Sequence, residues 1–195
     1  MQAAGSGAVL SGGFTNAAHQ SAHAFRAAMQ AMARPGQIHQ ITGAAPPAPL
    51  SIAAGTLILT LCDPGTPVFL AGDHDCAAIR DWVTFHTGAP FSGPKDCSFA
   101  IGSWDALLPV SAYPIGTAEY PDRSATLIVE LPELSASGPT LRGPGIKDSA
   151  ALSLPESAAF QANARAFPLG LDFYFTAGAR LAALPRSTRV GEPCT

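Results

Sequence analysis

The most regular apolar run of the chain is residues 125–131, ATLIVEL, flanked by GTAEYPDRS before it and PELSASGPTLRGPGIK after it. A strand with so little alternation between apolar and polar residues asks for cover on both of its faces, as in the interior of a sheet flanked by other elements. The glycine, proline and charge clusters on either side read as shaped loops, so this strand is expected to feed a site or a contact surface.

The segments around it alternate in type. Ala18, Ala22, Phe25, Met29 and Met32 recur at three- and four-residue spacing, which predicts a helix that buries this face. Thr15 or Asn16 can cap it, and Arg34-Pro35-Gly36 stops it. A short strand is predicted over 37–42. A second helix runs from Leu50 to Leu61 despite Gly55, and a strand covers 68–70. A third helix starts at Asp73 or Asp75 and carries Ile79, Trp82, Val83 and His86 on one face up to Gly88. Ser98 to Gly102 reads as a strand, and Trp104, Leu107 and Leu108 as a helical turn. Pro155 is placed at the first turn of a helix reaching Arg165, and 171–176 and 181–184 form a hairpin. The alternation predicts an α/β domain with a mixed sheet and helices on its faces. With 195 residues, one domain over 14–195 is expected, burying roughly 70% of the unfolded chain's surface, behind a loose arm of Gly, Ala and Ser over 1–13.

Composition bears on partners. Charged residues are 13% of the chain against 47% hydrophobic, where about 25% charged is usual. Either other chains cover part of the surface or the many alanines raise the apolar fraction without forming a patch. The net charge of −3, with Lys and Arg scattered singly, argues against nucleic acid, which calls for a basic stripe. No cation precedes Arg26 and no apolar run approaches membrane-spanning length, so a cytoplasmic protein is expected. Cys62, Cys76, Cys97 and Cys194 include no C-x-x-C pair; reduced thiols, no disulfide and no structural metal are expected.

Candidate chemistry is sparse. His19 and His23 lie one helical turn apart but lack a third ligand in any motif. Asp73-His74-Asp75 reads either as a metal or proton-transfer cluster or as a helix cap with an acidic first turn. Neither a Walker-type glycine loop nor G-x-G-x-x-G nor G-x-S-x-G occurs. The segment Leu141-Arg142-Gly143-Pro144-Gly145-Ile146-Lys147 sets two cations around two glycines after a strand-like segment, and reads either as an anion cradle, weakened by Pro144, or as a structural turn.

Four blocks carry a family resemblance: the helix QSAHAFR running into MARPG, the segment AEYPDRSATL, the loop LRGPGI, and FPLGLD followed by ALPRST. In this order, over about residues 14 to 190, they resemble the PhnH family, the H subunit of the bacterial carbon–phosphorus lyase system. The resemblance implies a three-layer α/β/α sandwich with a mixed sheet, like the pyridoxal-phosphate-dependent transferases but without that cofactor. It also implies a cytoplasmic subunit of phosphonate catabolism that assists transfer of the ribose triphosphate of ATP to a phosphonate, with the G, I and J subunits as partners; the low charge and high apolar content add the expectation of a homodimer when isolated. Arg142, Gly143, Gly145, Lys147, Tyr120 and Arg123 then become candidates for anion or partner contact, with no catalytic residue assigned. The alternative is a stand-alone small transferase binding pyridoxal phosphate or a nucleotide. Only Lys95 and Lys147 are available for a Schiff base, and neither has a recognisable phosphate cup beside it, so productive pyridoxal phosphate binding is not expected.

Overall fold

The computed structural model describes residues 11–193. The first ten residues of the expected arm, and Cys194, lie outside them. Ser11 to Gly13 are held: the carbonyl of Ser11 accepts from Trp82 Nε1 at 3.1 Å, and that of Gly12 from the amide of Ala45 at 2.8 Å.

Helix α1 (Ala17–Ala33) begins where Asn16 accepts the amide of His19 at 3.3 Å and ends at Arg34, before Pro35. Strand β1 is His39–Gln40, α2 is Ile52–Leu61, β2 is Val68–Leu70, and Gly72–His74 forms a 3-10 turn. Then come α3 (Ala77–Thr87), β3 (Phe99–Ser103), α4 (Trp104–Leu107), a second 3-10 turn at Val110–Ala112, and β4 (Thr126–Glu130). Strands β5 (Pro139–Arg142) and β6 (Ala150–Ala151) precede α5 (Ala158–Arg165), and β7 (Asp172–Ala177), β8 (Arg180–Leu184) and β9 (Arg189–Pro193) follow.

Among the described residues the main sheet has six strands in the order β1-β8-β7-β4-β3-β2. Strands β2, β3, β4 and β7 are parallel; β8 and β1 are antiparallel additions at one edge. The predicted central strand is therefore interior, and both of its faces are covered. Ile128 and Tyr174 face α1, α2 and α3 together with Leu57, Ile79 and Trp82. Leu127, Val129, Phe173 and Phe175 face the other way, towards Trp104, Phe160, Leu141 and Val190. Phe160 is the buried residue of α5. Its ring sits 4.8 Å from Trp104 and 5.0 Å edge-on from Phe173, contacts worth about 0.5–1.5 kcal/mol each beyond burial, so it fastens α5 to the sheet.

Three expectations are corrected. Helix α1 forms where predicted but is rotated: it buries Ala24, Ala28 and Ala31 with Met32 partly buried beside them, while Phe25 and Met29 are about half exposed at 49% and 51%. A stripe of methyl groups lets α1 lie close against α2, itself lined by Ala53, Ala54 and Gly55, whereas large side chains would hold the helices apart. Gly55 has a positive reason within α2, because a Cβ there would come within 2.6 Å of the Pro46 ring. Neither aspartate starts the third helix. Gly72–His74 closes as a 3-10 turn, Cys76 holds the cap position, and Asp75 instead pairs with Arg80, whose Nη2 donates to Oδ2 at 2.9 Å. Pro155 lies outside α5, which starts at Ala158 with Glu156 accepting the amide of Ala159 at 3.1 Å.

A second sheet, β6-β5-β9, also lies beyond the sequence reading. Its strands are short and carry Ala, Gly and Pro, residues of low strand preference. It closes over the same aromatic face as α5, through Leu141, Leu152 and Val190.

Candidate functional site

Among the described residues, two places gather candidate chemistry. The first is the carboxyl edge of the parallel strands, where ligands bind in open α/β sheets. Glu130 ends β4 beside Thr176 of β7. One carboxylate oxygen accepts the amide of Ser51 at 2.7 Å and the other accepts the hydroxyl of Thr176 at 2.9 Å. Ser51 is the residue before α2, its own hydroxyl accepting the amide of Ala54 at 3.1 Å, so the carboxylate also lies at the positive end of that helix. His74, from the turn after β2, brings Nε2 to 4.0 Å from Glu130 Oε1, with both side chains about nine-tenths covered. Among the described residues Nε2 has no hydrogen-bond partner. A carboxylate fixed by two donors thus faces a buried imidazole without a hydrogen bond between them, and little of either group reaches solvent. Asp75 pairs with Arg80 and Asp73 is exposed; the acidic neighbour of His74 is Glu130, distant in sequence and announced by no motif.

The second place is the loop after β5. Arg142, Gly143 and Pro144 line a cavity of about 330 Å³ with Ala164, Phe167, Ser187 and Arg189. An adjoining cavity of about 410 Å³ is lined by Gln161, Ala164, Arg165, Arg189 and Val190. The two share Ala164 and Arg189, forming one groove between α5 and the small sheet.

The six residues singled out in the sequence are divided by the fold. Arg142 and Gly143 line the groove. Gly145 is a packing position: its φ is +80° and a Cβ would lie 1.9 Å from the carbonyl oxygen of Ala33, so the loop is seated on the end of α1. Lys147 is exposed and lines neither cavity. Tyr120 and Arg123 pair with each other, the guanidinium 4.1 Å above the ring. Arg123 also lines a separate cavity of about 600 Å³ with Lys95, Asp96 and Asp122, where charges of both signs meet. Arg186 organises that loop: its Nη1 donates to Pro121 O at 2.7 Å, its Nη2 donates to Ser124 and pairs with Asp172, and its amide donates to Asp172 at 2.8 Å.

Sequence reasoning missed Arg165 and Arg189, which sit in no motif; the available signal was an arginine in the last turn of an amphipathic helix. His19 and His23 are exposed on α1, and among the described residues no group of three or more His, Cys, Asp or Glu converges on a metal position. Burial, with a contribution from Asp63, pushes the Cys62 thiol up to about 12, and burial pushes Cys97 up to about 11. Both are thus protonated at neutral pH and poor nucleophiles. No helix among the described residues is long and apolar enough to cross a membrane.

These features define a mixed α/β protein with a closed His–Glu pair at the carboxyl edge of its sheet and an open arginine-lined groove beside a second, smaller sheet. Residues 12–191 match the family model described as bacterial phosphonate metabolism protein (PhnH), and the chain belongs to that family. It is 40% identical over 191 residues to the alpha-D-ribose 1-methylphosphonate 5-triphosphate synthase subunit PhnH of Rhizobium meliloti (strain 1021), covering 93% of this chain and 96% of the relative. It is 26% identical over 177 residues to the putative C-P lyase subunit protein HtxG of Stutzerimonas stutzeri, covering 86% and 84%.

Proposed function

We propose that the chain acts as the H-type subunit of a ribose 1-methylphosphonate 5-triphosphate synthase in a carbon–phosphorus lyase complex, assisting transfer of the ribose triphosphate of ATP to a phosphonate during phosphonate catabolism in the cytoplasm. The observation that carries this reading is the 40% identity running through nearly the full length of both chains. Its partners are the G, I and J subunits, with a second copy of the chain as the occupant of the same surface when it is isolated. In support, Phe25 and Met29 stand one turn apart on the outer side of α1, and Phe85 and Phe167 are more than half exposed, apolar area of the kind that subunit contacts cover. The finer architecture we read as a three-layer α/β/α sandwich of the pyridoxal-phosphate transferase type working without that cofactor. Helices α1 to α3 on one sheet face and α5 on the other are consistent with it.

Co-expression of the tagged chain with the G, I and J subunits tests this. The expected result is co-purification of all four and, in a strain lacking its H subunit, restored growth on methylphosphonate as phosphorus source. A chain that neither co-purifies nor restores growth, or that alone converts ATP and methylphosphonate, overturns the reading.

A further inference from the structure

We propose that the groove between α5 and the small sheet is a polyphosphate site that holds the triphosphate chain of a ribose 5-triphosphate ligand. Identifying the ligand as a ribose triphosphate rests on the synthase reading above; the preference for a phosphate chain rests on the groove alone.

Three separate segments bring guanidinium groups to it: Arg142 from the end of β5, Arg165 from the last turn of α5, and Arg189 from the start of β9. Among the described residues no carboxylate lines either half of the groove, and none of the three guanidinium groups has an ion pair or a hydrogen bond. Like charges gathered without counter-charge repel one another, and a bound anion removes that cost. The planar forks of arginine suit phosphate oxygens, two at a time. The shape selects the anion further. Because the cavities of about 330 and 410 Å³ meet at Ala164 and Arg189, a ligand that reaches all three arginines is elongated and carries several charges; a single phosphate or carboxylate occupies one half. Phe167, 59% exposed, borders the half that holds Arg142 and offers an apolar plate beside the phosphates for the sugar or base end of a nucleotide. The cavity at Arg123 lacks these properties, since Asp96 and Asp122 share it with Lys95.

Titration calorimetry on the full chain with inorganic tripolyphosphate, ATP and inorganic phosphate tests the site. Tripolyphosphate and ATP are expected to bind saturably, one per chain, and to weaken as salt screens the charges, with inorganic phosphate at least ~10-fold weaker. Each of Arg142→Ala, Arg165→Ala and Arg189→Ala is expected to weaken tripolyphosphate about tenfold, the worth of one charge-assisted contact. Arg165→Lys keeps the charge and most of the binding. Melting curves matching the parent protein separate loss of the site from loss of the fold. Absent saturable binding, binding unchanged in all three alanine variants, or equal affinity for inorganic phosphate overturns the proposal. So does loss of co-purification in Arg165→Ala/Arg189→Ala without any tripolyphosphate binding, which makes the groove a seat for an acidic segment of a partner. Tripolyphosphate binding by a chain that does not co-purify with the G, I and J subunits leaves the site standing and removes the synthase reading; co-purification without binding does the reverse.

Discussion

The arginines of this protein occupy two kinds of place. Arg186 is mostly covered, and every direction of its guanidinium is used: Asp172 on one side, Pro121 O and the Ser124 hydroxyl on the other. Glu130 is its acidic counterpart at the carboxyl edge, with both oxygens accepting donors from other elements. Arg142, Arg165 and Arg189 lie exposed around a groove with no partner from the described residues. A charge answered by its own chain belongs to the fold, because removing it strands its partners. A charge left unanswered contributes little to the fold and is free to meet something else. Mutations on the two sides of this divide are expected to separate by stability.

The largest effect is expected at Arg186. Arg186→Ala leaves Asp172 without its cation and releases the 116–124 loop from β7, a loss of about 3 kcal/mol. Equilibrium unfolding in urea measures it, and a loss below about 1 kcal/mol would dissolve the contrast. Glu130→Gln follows with about 1–3 kcal/mol. The amide keeps one accepting oxygen for the Ser51 amide, but it accepts as a neutral group, and its NH2 faces a Thr176 hydroxyl that must turn from donor to acceptor. The same denaturation experiment reads this change, and a variant as stable as the parent would mean that the carboxylate serves something other than the fold.

How far the sequence reached follows the same division. Strand Thr126–Glu130 was legible because a continuous apolar run has few structural uses, and the ends of α1 because Asn16 and Pro35-Gly36 act locally on the backbone. The buried face of α1 was not legible. Hydrophobicity ranks Phe25 and Met29 above Ala24, Ala28 and Ala31, but the packing distance to α2 favours the smaller residues. The loop at Arg142 stood out through its glycines, while Arg165 and Arg189 come from other segments and are gathered only by the docking of α5 through Phe160. Glu130 was visible only as the polar end of a strand; its link to His74 and Ser51 depends on which loops meet at the edge of the sheet.

Alkaline pH probes the covered side of the divide with a smaller effect. Burial pushes Cys62 up to about 12 and Cys97 up to about 11 from an ordinary value of 9.0. The unfolded chain therefore sheds these protons first as pH rises. The stability they hold is complete below about pH 9 and is lost progressively between about 9 and 12. Burial likewise pushes Tyr113 and Tyr174 up to about 12 from 10.0, which steepens the fall above pH 10. Melting temperatures recorded from pH 8 to 11 should decline, and the decline should be shallower in Cys62→Ala, whatever that variant loses in packing at neutral pH. A flat profile would mean that these groups reach solvent.

The smallest expected effect is the one that gives the comparison its meaning. Arg142→Ala and Arg189→Ala remove side chains that touch no described partner, so each should change folding stability by no more than about 0.5 kcal/mol. Arg165 has one claim on the fold, its place in the last turn of α5, where a cation offsets the negative end of the helix by about 0.3–1 kcal/mol. Because the side chain is exposed and salt screens this term, Arg165→Ala should fall at the low end of that range and approach zero as ionic strength rises. Parallel urea titrations of the three variants and Arg186→Ala, at low and high salt, place all four on one scale. Near-zero losses in the groove beside about 3 kcal/mol at Arg186 leave the groove arginines without a folding role, and any function they have must then come from what they bind. A loss above about 2 kcal/mol at Arg165 would exceed what the helix end alone accounts for. It would tie that arginine to the fold after all, moving it to the side of Arg186.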